Sequence, residues 1–366
     1  METPPALPVR RLPLGRLWTA LAAEMVASDG FERPLRFAGV EPEHRALGDG
    51  LALVDRSQRA RLEVLGADRQ RFLNGYLTCD VKALAPESAA YGFFPDAQGR
   101  VLADALVLAL EDRIWLELPA GSAPAIEAHL GKYRLADRVE FRPLDDLVLV
   151  AIEGRRAPAW LARLGLEAPP PFAHGRARLG STEFQLARDG RIARPRYLLW
   201  ISASIAPALV EELLAAGASD GLVPAGLAAS EIVRVEEGEA LFGVDYGAGN
   251  FPQEIGAESA VSYTKGCYLG QEVISRLHFR GQPSRELRGV VFDESATAEV
   301  GVELAAEGRP AGRATSVVRS PVFGRALGLA LLQRRAAAPG TRLALPGGAG
   351  AEVVSLPFRR ADVRAI

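Results

Sequence analysis

The chain reads as an α+β body followed by a small all-β domain, and three observations carry that reading. Up to about residue 284, apolar runs of strand period alternate with segments of helical period. From Arg285 onward the helical segments stop, and short apolar runs recur between glycines and prolines. A balance of 48% hydrophobic and 24% charged residues over 366 positions is that of a globular chain of about two or three domains.

Residues 1–9 carry three prolines and no apolar stretch of signal-peptide length. The patch at 17–26 is interrupted by Glu24 and predicts a short amphipathic helix, so neither a secretory signal nor a membrane span is expected. The expected location is the cytoplasm. Residues 52–54 and 59–65 read as strands, the second with Leu62 and Val64 on one face and Arg61, Glu63 and Leu65 on the other. Gly66-Ala67-Asp68 ends that strand and opens a helix whose apolar side holds Phe72 and Leu73. Runs at 101–110 and 114–118, joined by Glu111-Asp112-Arg113, predict a hairpin.

A helix is expected at 122–130, with strands at 139–141, 147–152 and 197–201. Pro169-Pro170-Pro171 reads as a stiff connector. A helix at 206–216 follows, then a second after Pro224 that runs to Val235, with Leu227, Ile232 and Val235 able to share a face. Beyond Gly281-Gln282-Pro283, runs at 290–292, 302–304, 311–318, 326–332, 342–345 and 353–356 predict a small barrel or sandwich.

The formal net charge of -2 gives no global signal for nucleic acid, and direct nucleic-acid binding is not expected. Cys79 and Cys267 are the only cysteines, which argues against a disulfide framework and for a reducing compartment. His44, His129, His174 and His278 show no metal-ligand spacing. The residues therefore predict no resident metal.

Three segments carry chemistry. In Lys265-Gly266-Cys267-Tyr268-Leu269-Gly270-Gln271-Glu272, Gly266 allows an unusual backbone angle, and Val273, Ile274 and Leu277 predict a helix after it. A cysteine at a helix N-terminus beside Lys265 would be rich in thiolate, making Cys267 a candidate nucleophile, redox thiol or transient soft-metal ligand. The same residues fit a small hydrophobe packing a tight turn. In Arg234-Val235-Glu236-Glu237-Gly238, one buried carboxylate can accept two parallel N–H bonds from a pterin. Glu236 is the candidate, and Glu237 is expected to face solvent. Asp104 lies within an apolar strand run, where a carboxylate needs a partner. It is a candidate for proton transfer or a strand-end aspartate bonded to a nearby backbone N–H. Arg276, Arg280, Arg285 and Arg288 form a basic run that either meets an anionic ligand or is simply solvated.

Residues 53–57 and 72–81, together with Tyr91, Gly99 to Asp104, Arg234 to Gly238, Gly312 to Thr315 and Pro321, resemble the glycine-cleavage T-protein family from about Phe37 onward. The Lys-Gly-Cys-Tyr-x-Gly-Gln-Glu segment resembles its YgfZ branch, whose mitochondrial relatives assist iron–sulfur enzymes. The resemblance implies a three-domain cloverleaf around a central folate-sized channel. It implies a folate-binding domain at 35–140 and 226–284, a ferredoxin-like domain at 141–225 and a β-barrel at 285–366. It places Asp104 as a catalytic acid near the folate N10, Glu236 at the pterin and Tyr91 in the channel, with Lys265 and Arg276 as further ligand-binding candidates. Two departures set the chain apart from aminomethyl transfer. Ala103 precedes Asp104 where the family has a second aspartate, and Cys267 to Gln271 replace a Phe-Ile-Gly-Lys-type segment.

The function so implied is a monomeric, tetrahydrofolate-binding accessory factor for iron–sulfur client proteins, affecting iron–sulfur-dependent tRNA modification, with Cys267 as its working thiol. The alternatives are a folate-dependent aminomethyltransferase, with Asp104 acting on the folate amine, and a non-catalytic module that only binds folate or RNA.

Overall fold

The computed structural model describes residues 9–364. The expectations for residues 1–8 therefore lie outside it. Leu51, Ala52, Leu53 and Val54 are all buried, as a strand covered on both faces requires. This strand, Leu51–Asp55, pairs antiparallel with Leu147–Glu153 and parallel with Leu222–Pro224. The sheet continues through Arg196–Ser202 and Thr182–Arg188 to His174–Leu179, six strands in all. The next strand, Ala60–Leu65, belongs to a different sheet of five strands. There it lies between Ile114–Leu118 and Glu140–Pro143, and the sheet runs on through Val101–Ala109 to Ser88–Pro95.

Alternation decides how these sheets pack. Val150, Ile152 and Leu199 point to one face of the six-stranded sheet, against Trp18, Trp160 and Leu209 of three helices. Leu149, Ala151 and Leu198 point to the other face and meet Leu106 and Leu108 of the five-stranded sheet. Trp115 stacks on Trp200 across this contact, with ring centroids 5.4 Å apart. Residues 56–59 cross from one sheet to the other, so charged side chains on this link sit between two cores.

The C-terminal runs close into a six-stranded barrel, as their spacing predicted. It is fastened to the helix Leu227–Glu236 by polar bonds. Arg234 donates to Ser316 Oγ at 2.7 Å, and Thr315 and Ser316 both donate to Asp245 at 2.7 Å.

Two expectations are corrected. The helix expected at 17–26 is Gly15–Ala20 only, because Ala22 has a positive φ and Glu24–Ser28 pairs with Phe31–Arg36 as a hairpin. Asp29 and Gly30, both at positive φ, make its two-residue turn. The buried face of the helix Leu227–Glu236 is Ala229, Val233, Arg234 and Val235, with Leu227 and Ile232 half-buried. It differs because the helix is pressed between Val40–Gly48 and the barrel. The sheets are assembled from residues far apart in sequence. Residues 51–55 join strands from 141–225, and the strand Glu140–Pro143 returns to the five-stranded sheet.

Candidate functional site

Asp104 pairs across the ladder with Phe93, which puts Tyr91 on the same face one diagonal step away. The Tyr91 hydroxyl donates to Asp104 Oδ2 at 2.9 Å. Arg59, on the link between the sheets, and Arg191, on the loop after Asp189, bring guanidinium nitrogens to 3.6 and 3.7 Å from the same oxygen. The buried carboxylate is therefore paired by side chains rather than by a strand-end N–H. Asp104 Oδ1 has no partner among the described residues, and neither has the hydroxyl of Tyr246.

Tyr91, Asp104, Arg191 and Tyr246 line a cleft of about 680 Å³ that also touches Cys79, Glu237, Ser262 and Pro357. Burial, and then the charge of Asp104, push the Tyr91 and Tyr246 hydroxyls well above the ordinary tyrosine range. Both remain protonated donors at neutral pH.

Both arginines are held from behind. Asp189 takes Arg191 through Nε at 2.9 Å and Nη2 at 2.8 Å, while the fully buried Glu117 accepts from Arg59 Nε at 2.8 Å. Further along, Arg196 makes two parallel 2.7 Å bonds to Glu239, and Arg56 and Arg194 share the two oxygens of Glu153. Burial opposes these charges, yet the guanidiniums hold Glu153 and Asp189 far below the usual carboxylate range and Glu239 at about 2. Fork-to-fork pairing of this kind suits arginine rather than lysine. The result is a rigid, ionised floor under Asp104.

The other candidates are placed differently. Glu236 accepts from His44 Nε2 at 2.8 Å and from Ser320 Oγ, at the junction of two helices with the barrel, and it does not line the cleft. Glu237, expected in solvent, does line the cleft, and its carboxylate makes no hydrogen bond to the described residues. One step around the helix gives the two neighbours different surroundings.

Lys265 is buried. Its ammonium donates to the carbonyls of Asn74, Leu77 and Cys79 at 2.7, 2.6 and 2.7 Å. Burial draws its pKa down to about 8. It is thus committed to the chain at 74–79 rather than to Cys267 or the cleft. Cys267 is exposed and sits ahead of the helix Gln271–Arg280, outside the first turn where the dipole acts. The special glycine of this segment is Gly270, at φ +76, where a Cβ would lie 2.4 Å from Asp96 O. Gly266 takes no positive φ and has open space around it. Arg276 is on the exposed face of the helix and outside the cleft lining.

The structure thus brings together Asp104 and Tyr91 and leaves Glu236, Lys265, Cys267 and Arg276 elsewhere. It adds Arg59, Arg191, Tyr246 and Glu237. Glu117, a carboxylate inside the apolar run 114–118, was the available signal that a buried cation stands opposite.

A ligand suited to this cleft has nitrogen donors for carboxylates and an extent within the roughly 300–1,000 Å³ usual for small-molecule pockets. Comparison with known proteins gives that description a family. Residues 14–265 match the GCVT N-terminal domain, and residues 285–359 match the glycine cleavage T-protein C-terminal barrel domain. The chain belongs to the glycine-cleavage T-protein family. The aminomethyltransferase of Bacillus velezensis is 28% identical over 92% of this chain and 93% of its own length. That of Symbiobacterium thermophilum is 29% identical over 97% and 99%. The crystal structure of glycine cleavage system aminomethyltransferase T from Bartonella henselae superposes with a TM-score of 0.87, at 26% identity, covering 96% of this chain and 98% of that one. The α+β body with its barrel is therefore the T-protein fold. The names of these relatives favour the transferase alternative over the iron–sulfur reading. No helix among the described residues is long and apolar enough to cross a membrane.

Proposed function

We propose that the chain binds tetrahydrofolate in the Asp104 cleft and handles a one-carbon unit there, as a folate-dependent aminomethyltransferase. The observation that carries this is the buried Asp104 with one oxygen bonded to Tyr91 and the other without a hydrogen-bond partner among the described residues, in a cleft that also presents the hydroxyl of Tyr246, likewise unpartnered among them. Orphaned buried polar atoms are costly unless a ligand satisfies them. When bound, tetrahydrofolate supplies the nitrogens that carry the one-carbon unit. The chain supplies orientation and charge. Glu237 offers both oxygens to adjacent N–H donors, Asp104 Oδ1 accepts a hydrogen bond or a proton from a nearby nitrogen, and Arg59 and Arg191 fix the carboxylate's position. The test is formation of methylene-tetrahydrofolate from an aminomethyl-lipoyl carrier protein. Turnover that Asp104→Asn abolishes supports the reading, and absence of turnover with wild type sinks it.

A second reading rests on the exposed Cys267 in its YgfZ-like segment, outside the cleft. Here the protein uses bound folate as an accessory factor for iron–sulfur clients, with the thiol acting on them at the surface. A deletion strain assayed for iron–sulfur enzymes and tRNA thiolation decides it. Loss of both, not restored by Cys267→Ala, supports this use; full restoration removes it.

A further inference from the structure

A second cleft, of about 500 Å³, adjoins the first, and Arg191, Glu239 and Leu241 line both. Its wall is rich in arginine: Arg33, Arg56, Arg59, Arg194 and Arg196 join Arg191 there. The acids lining the same wall, Asp29, Glu153, Glu231 and Glu239, are each already bonded to an arginine. Glu153 spends one oxygen on Arg56 and the other on Arg194, and Glu239 spends both on Arg196. Donors do remain. Arg194 Nε is buried without a hydrogen-bond partner among the described residues, its side chain only 5% exposed, and Arg59 Nη2, also without a hydrogen bond, is 3.6 Å from Asp104.

Arg33 is the most telling of the six. It reaches the cleft from the strand Phe31–Arg36 with its side chain 12% exposed, and its ion pair is to Asp29, itself 49% exposed. Burial lowers its pKa, and the like charge of Arg56 adds to that. Asp29, Asp55 and Glu231 are the acids that offset it, and Glu231 already accepts two bonds from Arg234. Guanidiniums facing one another across a cavity, with spare N–H groups, are stabilised by an oxyanion between them. Leu227, Phe242 and Val244 form the apolar part of the same wall.

We infer that this second cleft is a binding site for a small organic anion, one carrying a carboxylate or phosphate on an apolar body. The anionic group meets the arginine wall, and the apolar body lies on Leu227, Phe242 and Val244. The site adjoins the Asp104 cleft, with Arg191, Glu239 and Leu241 lining both, so a ligand here lies beside whatever occupies the first cleft. The inference does not depend on the identity of the first ligand.

The experiment titrates the full chain with benzoate, phenyl phosphate and uncharged benzamide, using calorimetry or ligand-observed NMR. Saturable binding of either anion, at least tenfold tighter than benzamide, is expected, and the better of the two identifies the oxyanion. Arg33→Gln weakens that anion at least tenfold, and Arg33→Lys, which keeps the charge and loses the fork, weakens it less. A thermal melt without ligand confirms that each variant is folded; should Arg33→Gln not fold, Arg33→Lys alone decides. Benzamide binding as well as the anions, no saturable binding of any probe, or unchanged anion affinity in the folded variants would overturn the inference.

Discussion

The hydroxyl of Tyr91 donates to Asp104 Oδ2 at 2.9 Å, while Asp104 Oδ1, in the same buried carboxylate, has no partner among the described residues. A hydrogen bond to a charged group contributes about 1.5–3 kcal/mol. Tyr91→Phe removes the donor and should lower the unfolding free energy by that amount. Urea denaturation checks it. A loss near zero would mean that the two arginines hold Asp104 without help from Tyr91.

Lys265 closes the chain at 74–79 through three carbonyls. Lys265→Met has the length but not the donors, and leaves these carbonyls without a cation. Each buried unsatisfied group costs about 1–3 kcal/mol, with water relieving part of that, so a loss of roughly 3 kcal/mol is expected in urea. Unchanged stability would show that the ammonium is dispensable for this loop.

The two thiols should separate cleanly. Cys267 is exposed, whereas Cys79 is buried and burial pushes its thiol up to about 12. A thiol reagent such as dithionitrobenzoate should titrate one thiol per native chain, lost in Cys267→Ser, and the second only on unfolding. Two fast thiols in the native protein would contradict the placement of Cys79.

Stability should fall on the acid side. Glu239 is held at about 2, from an ordinary 4.5, by Arg196 against the opposing effect of burial. A depressed carboxylate stabilises the fold fully above its unfolded pKa, and that contribution disappears as pH falls through the folded value. The Glu239 contribution is on the order of 3 kcal/mol and is lost between about pH 4.5 and pH 2. Glu153 and Asp189, held lower still, extend the decline further down. Urea midpoints measured against pH should show this fall. Glu239→Gln should flatten it over the upper part of the range and lower the plateau at neutral pH.

Local pattern made much of this structure legible. The barrel strands announced themselves by Gly and Pro spacing, and the hairpin 101–118 by two apolar runs around three charged residues. Asp104 could be chosen because it interrupts an apolar strand run, and Tyr91 because the family resemblance implied a tyrosine in the channel. The ionic floor was hidden because its members meet only through the tertiary fold: Arg59 and Arg191 are 132 positions apart (191 − 59) yet reach one carboxylate. Glu236 and Glu237 show a second limit. Neighbouring helix residues differ by about 100° in direction, so which one enters a cleft depends on how the helix is rotated by its neighbours. Here the barrel and the helix Val40–Gly48 set that rotation.

Calorimetric titration of tetrahydrofolate into wild type, Glu237→Gln and Glu236→Gln tests the account most directly. One saturable site in wild type is predicted, weakened at least tenfold by Glu237→Gln. Glu236→Gln should lower thermal stability by removing the charge and one of the two acceptors that His44 and Ser320 meet, while leaving the affinity within about twofold, since a factor of ten would need about 1.4 kcal/mol of lost ligand contact. No saturable binding by wild type, or full affinity in Glu237→Gln, would contradict it.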